Sequence, residues 1–230
     1  MSKPKVVVVM PAYNAEKTLE KTYRDIPKRA VSEIILVDDG SHDKTALISK
    51  KLGIKTYTHP QNRGYGGNQK TCYKLALKLK ADIVVMLHPD YQYDSSLIGE
   101  LIRPIISGSY DIMLGSRIRT RAEVLRNGMP LYKYLGNRLL TIIENIVLGM
   151  NLSEYHTGFR AFKGDILKRI PMSKFSNDFV FDQQILIFAI RKGFKVGEIP
   201  VPVRYLPDSS SINFLRSIKY GLETIVSLLV

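Results

Sequence analysis

The 230-residue sequence contains one cysteine, no tryptophan and no long apolar run. The single Cys72 excludes a disulfide within the chain, and such scarcity is typical of proteins in a reducing cytoplasm. The N-terminal apolar run, "VVVVM", has five residues, whereas a membrane-spanning helix needs about 20 and a signal peptide has a longer apolar region. We therefore expect a chain without a signal peptide that does not cross a bilayer.

Acidic residues are too few to balance the basic ones. The chain has 34 Lys and Arg against 21 Asp and Glu, a formal net charge of +13. Such a surplus favours anionic partners, namely nucleotides, phospholipid surfaces or nucleic acid. No RNA-recognition, KH or zinc-finger signature accompanies the charge, so we expect no nucleic acid partner. With 45% hydrophobic and 24% charged residues, the composition is that of an ordinary soluble globular domain.

Short β-branched runs alternate with helical segments in the first half of the chain. "KVVVVM", "EIILVDD", "IKTYTH" and "DIVVMLH" have the pattern of strands, and "PAYNAEKTLEKTYRDI" that of a helix capped by Asn14. This order predicts βαβ units and an α/β fold with a mainly parallel sheet. Ligands of such sheets bind beyond the carboxyl ends of the strands. The polar clusters at residues 13–14, 38–39 and 88–94 should therefore converge on one crevice.

The residue types in these clusters suit a phosphorylated ligand. Asp90 and Gln92 are hard oxygen ligands of the kind that Mg²⁺ or Mn²⁺ takes together with substrate phosphates. "VDDGS" could hydrogen-bond a base or ribose, or cap the helix that follows. "NRGYGGNQ" offers close backbone approach and a helix N-terminus for an anion, or is simply a turn. It matches neither a Walker A loop nor the dinucleotide fingerprint.

Seven motifs in order carry a resemblance to a known family: "PAYNAEKTLEKT", "ILVDDGSHDKT", "NRGYGGNQKT", "HPDYQYD", "DIMLGSR", "EYHTGFRAF" and "GEIPVPVRY". They resemble family 2 glycosyltransferases of the GT-A fold, and among them the dolichyl- or polyprenyl-phosphate hexose (mannose or glucose) synthases. The resemblance runs from about Lys5 to Ile212. It implies a GT-A domain over residues 1–212, a nucleotide-diphosphate sugar donor, a divalent Mn²⁺ or Mg²⁺ ion and an inverting transfer.

The resemblance also implies roles for individual residues on the donor side. The family motif Asp-Ala-Asp-x-Gln reads "HPDYQ" here, so Asp90 and Gln92 match positions that attend the metal and the diphosphate. His88 replaces the first aspartate and is either a metal ligand, which would favour Mn²⁺, or a contact to the ribose or a phosphate. The remaining donor-binding positions are Pro11 and Tyr13 for the nucleoside, Val37 and Asp39 for the base and ribose, Pro89 within the motif, and Arg117 and Arg204 for the phosphates.

A catalytic base is needed only for some acceptors. A hydroxyl must lose its proton to a carboxylate, whereas a lipid phosphate is already anionic. Asp182 matches the family position for such a base or orients a loop, and Asp178 could be a cap. Glu154 stands at an aspartate position and Ala15 at a glutamate position, which leaves the sugar and the metal open.

Two amphipathic segments suggest where the acceptor binds. Residues 131–149 and 213–230 each place apolar side chains on one helical stripe, which packs into a core or lies on an anionic membrane. We expect transfer of a hexose from a GDP-mannose or UDP-glucose type of donor to polyprenyl phosphate, by a peripheral protein at the cytoplasmic membrane face. The alternatives are transfer to a soluble or glycan hydroxyl, a nucleotidyltransferase and a non-catalytic sugar-nucleotide-binding protein. A nucleotidyltransferase would have a Gly-rich loop after the first strand, and the segment "PAYNAEK" lacks it.

Overall fold

A seven-stranded sheet organises the protein. The structure, a computed structural model, describes residues 3–118, 120–126, 128–204 and 214–229. In spatial order the strands are β3-β2-β1-β4-β6-β5-β7, and all pairs are parallel except those of β6 with β4 and β5. The predicted α/β fold with a mainly parallel sheet is confirmed. The strands are β1 (Val6–Ala12), β2 (Glu33–Asp38), β3 (Lys55–Thr58), β4 (Ile83–Met86), β5 (Ile112–Ser116), β6 (Arg160–Lys163) and β7 (Val196–Pro200).

Helices cover both faces of the sheet. The apolar residues of β1 are buried on both sides, as its continuous β-branched run predicted. Val7 and Val9 pack in one core cluster, whereas Val8 and Met10 pack in the other. The helices of the described ranges are α1 (Leu19–Asp25), α2 (Thr45–Lys51), α3 (Tyr65–Lys78), α4 (Ile98–Ile106), α5 (Arg121–Arg126), α6 (Leu131–Leu148), α7 (Gly164–Arg169), α8 (Phe181–Arg191) and α9 (Phe214–Leu229).

The first helix begins later than its sequence predicts. Pro11 and Ala12 still belong to β1, where they pair with β2. Asn14 does not cap α1: it has a φ of 52°, and its side-chain oxygen accepts a hydrogen bond from the His42 amide at 2.9 Å. The segment after β1 is therefore a loop bound to the loop after β2. It holds polar groups at the end of the sheet instead of inside a helix.

The second half of the chain adds one long excursion and a final helix. Residues 117–159, which include α5 and α6, leave the sheet after β5 and return at β6, which pairs with β5. Helix α9 packs against α6 and α8. The domain boundary predicted at residue 212 lies outside the described residues and stays a prediction. None of the helices in the described ranges combines the length and apolar character that a bilayer-spanning segment requires.

Candidate active site

The carboxyl ends of β1, β2 and β4 open into one cleft of about 890 Å³. Its far wall comes from α6, from the start of α8 and from α9, so the cleft joins both halves of the chain. Most of the residues expected to form the site line this cleft: Pro11, Tyr13, Asp39, His88, Pro89, Asp90, Gln92, Arg117 and Asp182. The roles assigned to them stay predictions, but their convergence at the strand ends is as expected.

Two of the expected donor-binding residues are not among those that line the cleft. The Val37 side chain is fully buried in the core beside α3, and its carbonyl oxygen accepts a hydrogen bond from Asn68 at 3.1 Å. Arg204 donates its amide to the Gln92 carbonyl at 2.9 Å and places its guanidinium over the Tyr91 ring, which ties the segment after β7 to the loop after β4. The Val37 side chain, enclosed in the core, therefore supports the cleft from behind, and a direct contact from it would need a rearrangement.

The loop after β4 presents Asp90 to the cleft. Tyr91 has a φ of 59°, which turns the chain sharply, and the Gln92 amide donates to Asp90 Oδ1 at 3.1 Å. Two contacts anchor this loop on the first helix: Thr18 donates to the Pro89 carbonyl at 2.7 Å, and the Tyr91 amide donates to Thr22 Oγ1 at 3.1 Å. The buried Asp90 carboxylate is thus held in place before any ligand binds.

The donor atoms here fit a cation that the substrate helps to hold. No group of three or more His, Cys, Asp or Glu side chains suited to a metal occurs among the described residues. Mg²⁺ and similar hard cations often take only one or two protein carboxylates and complete their shell with water and substrate phosphates. Asp90, with the Gln92 amide oxygen and the His88 imidazole beside it in the cleft lining, matches that type of site.

Asp39 orders the glycine-rich loop that follows β3. Its buried carboxylate accepts hydrogen bonds from His59 Nδ1 at 2.6 Å, the Arg63 amide at 3.0 Å and the Gly64 amide at 3.1 Å. It does not cap a helix, since α2 begins only at Thr45. Asp39 therefore shapes the cleft wall, and the base or ribose contact predicted for it would have to share a carboxylate that already has three donors.

The glycines of "NRGYGGN" serve close packing between two segments of the protein. The Gly66 amide donates to the Asn177 carbonyl at 2.8 Å, and a Cβ on Gly66 would lie 2.7 Å from the Ser176 carbonyl oxygen. A Cβ on Gly64 would come within 2.8 Å of the Asn177 oxygen. The amide groups that we expected to face an anion thus face a protein carbonyl, and the motif brings Tyr65 up to the start of α8.

Tyr65 links the loop after β4 to α8. Its hydroxyl donates to Asp182 Oδ2 at 2.7 Å and lies 3.0 Å from His88 Nε2, and its ring stacks on the His88 ring. Burial lowers the pKa of His88, which favours the neutral imidazole. Burial and the adjacent Asp182 carboxylate raise the pKa of Tyr65 well above its usual range, so the phenol keeps its proton. Nothing in the sequence singled out Tyr65.

The two candidate acids at the start of α8 differ in their partners. Asp182 is buried, and its Oδ1 has no hydrogen-bond partner in the described part of the chain, although Arg160 Nη1 lies 3.9 Å away. Asp178 pairs with Lys219 of α9 at 2.8 Å. The hydrogen bond from Lys219 is the main reason why the pKa of Asp178 is lowered. Of these two acids, Asp182 therefore has a carboxylate oxygen, buried beside the cleft, that accepts no hydrogen bond from the described residues.

Arg117 is bound to the "EYHTGFR" motif. Its Nε donates to Glu154 Oε1 at 2.9 Å, its amide donates to Glu154 Oε2 at 2.7 Å, and its guanidinium also reaches the His156 carbonyl at 2.6 Å. Burial acts to raise the pKa of Glu154, but the charge and hydrogen bonds of Arg117, with a bond from Asn137, hold it below its usual value. Glu154, which replaces an aspartate of the family pattern, is thus the anchor for Arg117.

The sequence also failed to indicate a buried polar cluster between α6, α8 and α9. His156 Nε2 lies 3.1 Å from Glu144 Oε2, and its Nδ1 lies 2.8 Å from the Tyr220 hydroxyl. Gln183 donates to that hydroxyl at 2.6 Å. Glu144 and Tyr220 lie off the apolar stripes of α6 and α9, so those stripes gave no signal for this cluster. This cluster holds the final helix against the cleft.

Comparisons with known proteins agree with these features. Residues 7–170 match Glycosyl transferase family 2. The UDP-N-acetylglucosamine–dolichyl-phosphate N-acetylglucosaminyltransferase of Methanococcus voltae is 31% identical over 217 residues, covering 87% of this chain and 86% of that protein. The dolichyl-phosphate hexose transferase of Haloferax volcanii is 26% identical over 201 residues, covering 86% and 82%.

A solved structure extends the agreement to the fold. Glucosyl-3-phosphoglycerate synthase from Mycobacterium tuberculosis, crystallised with Mn²⁺, UDP-glucose and phosphoglyceric acid, superposes with a TM-score of 0.75 at 20% identity. The match covers 98% of this chain and 79% of the synthase. The family match over residues 7–170 and this superposition confirm what the motifs implied: the chain belongs to glycosyltransferase family 2 and has the GT-A fold.

Proposed function

We propose that this glycosyltransferase moves a hexose from a nucleotide-diphosphate sugar to polyprenyl phosphate, with inversion at the anomeric carbon. The observation that carries the proposal is the mixed lining of the cleft. The Asp90 carboxylate and the basic side chains of Arg117, Lys133 and Arg216 line it, and so do α6 and α9, whose outer faces are exposed and apolar. A diphosphate donor, a lipid phosphate and a lipid chain would each find one of these three environments.

Asp90, Gln92 and His88 would hold a divalent cation at the donor end. When bound, such a cation neutralises charge on the departing nucleoside diphosphate. The residues of the chain supply position: the anchored loop after β4 fixes Asp90, and Pro11 and Tyr13 offer an apolar surface at the end of β1. Fixing the donor in this way lowers the entropy that the transfer step must lose.

Basic groups that line the cleft support a phosphate acceptor. They are Arg117, Lys133 and Arg216. Burial and the nearby charge of Arg117 lower the pKa of Lys133, which is the effect expected where cations lie close together. A phosphate would relieve this repulsion through charge-assisted hydrogen bonds. Its oxygen could then attack the anomeric carbon opposite the diphosphate without a general base.

The outer faces of α6 and α9 support a site at a membrane surface. The two helices pack together, with the rings of Tyr132 and Phe214 5.4 Å apart. Their outward side chains form one apolar surface, which we call the α6–α9 face. Its exposed members are Leu131, Tyr132, Leu135, Leu139, Ile142, Ile146 and Val147 of α6, and Phe214, Leu215, Ile218, Leu222, Ile225, Val226 and Leu229 of α9. Such a face, in a chain of net charge +13, suits an anionic bilayer.

Transfer to a hydroxyl is the second candidate, and it depends on Asp182. Its Oδ1 atom is buried at the cleft without a hydrogen-bond partner among the described residues. A carboxylate oxygen in that condition could accept the proton of an attacking hydroxyl.

An acceptor panel tests the two candidates. The protein is incubated with Mn²⁺, with GDP-mannose, UDP-glucose or UDP-N-acetylglucosamine, and with polyprenyl phosphate, a sugar acceptor or water alone. We expect a glycosylated polyprenyl phosphate with inverted configuration. Asp182→Asn protein should keep most of this activity, because an amide oxygen can still accept the Tyr65 hydrogen bond. Products only on the sugar acceptor, lost in Asp182→Asn, would favour the hydroxyl reaction, and no product with any acceptor would oppose both.

A further inference from the structure

The hydrogen bonds around Tyr65 have a defined direction. A phenol has one proton, and the Tyr65 hydroxyl donates it to the buried Asp182 Oδ2 at 2.7 Å. The same oxygen can then only accept from His88 Nε2, 3.0 Å away. His88 must therefore carry a proton on Nε2. In a neutral imidazole with that proton, the other ring nitrogen, Nδ1, has a lone pair and no hydrogen.

Packing fixes which edge of the His88 ring faces Gly158. A Cβ built on Gly158 would lie 2.5 Å from His88 Cδ2 and 2.8 Å from Nε2. The opposite edge, which carries Nδ1, is turned away from this wall. The Tyr65 ring stacks on the imidazole with an interplanar angle of 13° and restrains its rotation.

We propose that Tyr65 and Asp182 are positioning residues that hold His88 in one tautomer, so that His88 presents the Nδ1 lone pair to the donor end of the cleft. This role rests on the proposed function in one respect, namely that the ligand of His88 is the divalent cation of the donor site. A lone pair accepts but cannot donate. His88 is thereby suited to a divalent cation beside Asp90 and unsuited to donating to a phosphate oxygen, which was one of the two other contacts open to it.

The tautomer can be read directly from the protein without substrate. Nitrogen-15 chemical shifts of labelled histidine separate ring nitrogens that carry a proton from those that do not, and a His88→Gln variant identifies the His88 signals. We expect Nε2 to be protonated and Nδ1 unprotonated in the wild type. Tyr65→Phe should allow both tautomers, because Nε2–H loses its acceptor. A wild-type His88 with its proton on Nδ1 would overturn the inference, whether or not the variant folds.

Tyr73→Phe is the matched control. Tyr73 lies on the same helix, α3, and its hydroxyl donates to Gln69 at 3.2 Å, away from His88. Removing this hydroxyl tests the general effect of a Tyr→Phe change in α3. The His88 shifts should stay at their wild-type values in this variant, and equal changes in both variants would refute a specific role for Tyr65.

Cation binding supplies the second measurement. Calorimetry with MnCl₂ in the presence of inorganic pyrophosphate should show an affinity about tenfold lower in Tyr65→Phe than in Tyr73→Phe, because loss of a partner behind a metal ligand typically costs about 10–100-fold. Equal affinities in the two variants would contradict the inference. Neither measurement involves sugar transfer. If the proposed donor or acceptor were wrong, both results would stay the same, and only the acceptor panel would show the error.

Discussion

Among single residues, Asp90 is the carboxylate on which the proposed donor site should depend most. It is held by the Gln92 amide and by a loop anchored on α1. We predict that Asp90→Ala lowers transfer by at least about a hundredfold, the size of effect expected when a preorganised electrostatic contact is removed. The rate of product formation at saturating Mn²⁺ measures it. Circular dichroism should show an unchanged fold, since Asp90 follows a strand and is not part of the core clusters.

Asp94→Ala provides the control for that substitution. Asp94 lies four residues further on, caps the short 3₁₀ turn at Ser95–Leu97 and is not among the residues that line the cleft. Its removal should cost about 1 kcal/mol of stability and leave transfer intact. Equal activity of both alanine variants would remove Asp90 from the proposed metal site.

The wall behind His88 has no room for a methyl group. A Cβ on Gly158 would lie 2.5 Å from His88 Cδ2, and the Tyr65 ring prevents the imidazole from moving away on one side. We predict that Gly158→Ala displaces His88 and weakens binding of Mn²⁺ with pyrophosphate about tenfold, as seen by calorimetry. Gly99→Ala, with nothing within 4 Å of its added Cβ, should bind as the wild type does. Wild-type affinity in Gly158→Ala protein would show that His88 does not contribute.

Two roles are open to Asp39, the proposed nucleoside contact and the ordering of the loop after β3, and one pair of variants can separate them. Losing a charge-assisted hydrogen bond to the nucleoside should cost about 1.5–3 kcal/mol in Asp39→Ala, roughly ten- to a hundredfold in nucleotide affinity. The variant should also be less stable, because His59 and the Arg63 and Gly64 amides lose their acceptor. Asp38→Ala, a buried neighbour outside the cleft lining, should lose stability alone. Unchanged calorimetric affinity in both would leave Asp39 with the loop-ordering role only.

The position of a site residue could be predicted where it depends on its neighbours in sequence. It could not be predicted where it depends on contacts between residues far apart in sequence. Asp90 and Gln92 stand together after a strand, so their placement follows from local pattern. Tyr65 meets Asp182 across 117 positions of sequence. No periodicity in the sequence predicts such a contact. The glycines around Tyr65 predicted a role for the backbone of this segment and not for the Tyr65 ring.

Among the helices and strands, the ends marked by special backbone geometry were the easiest to predict. Gly53, at a φ of 70°, follows the end of α2, and a glycine after a helical segment is a common stop signal. The start of α1 was predicted too early because Pro11 and Ala12 pair in the sheet, and tertiary pairing outweighs a local capping pattern. The four-residue β6 is too short to show an alternating pattern, so its antiparallel direction could not be inferred.

The α6–α9 face allows a test that keeps α9 in place. Deleting residues 213–230 would also remove Tyr220, which holds His156. The double substitution Leu215→Glu and Leu222→Glu instead changes only exposed positions. We predict at least about tenfold weaker sedimentation with anionic phosphatidylglycerol vesicles, since each buried leucine contributes about 1.5–3 kcal/mol. Transfer to a short, water-soluble polyprenyl phosphate analogue should persist.

A second double variant controls for the added negative charge. Leu47→Glu with Ile106→Glu places the same two charges at exposed apolar positions on α2 and α4. It should bind vesicles nearly as well as the wild type. If both double variants bound equally, the α6–α9 face would be a packing surface and not a lipid contact.

For the molecule as a whole, the net charge of +13 should make membrane binding depend on salt. Each well-placed Lys or Arg contributes about 1 kcal/mol at an anionic surface, and salt screens this contribution over a Debye length of about 8 Å at physiological ionic strength. Insertion of the α6–α9 face is not screened. Vesicle binding should therefore fall between low and high salt to a residual level, and the Leu215→Glu, Leu222→Glu variant should lack that residual binding. Complete loss in the wild type at high salt would mean that charge alone attracts the protein.

Under the proposed function, the excursion between β5 and β6 should allow acceptor specificity to be exchanged between relatives. Residues 117–159 leave and re-enter the sheet on strands that pair directly, with Leu114 opposite Arg160, so both ends of the segment are close together on a rigid frame. A segment with such ends can be exchanged while β1, β2 and β4 keep the donor half, provided that Gly158, which packs against His88, is retained. A chimera that takes this segment and α9 from a relative with another acceptor should therefore adopt the new acceptor and retain the original nucleotide sugar, as product analysis would show.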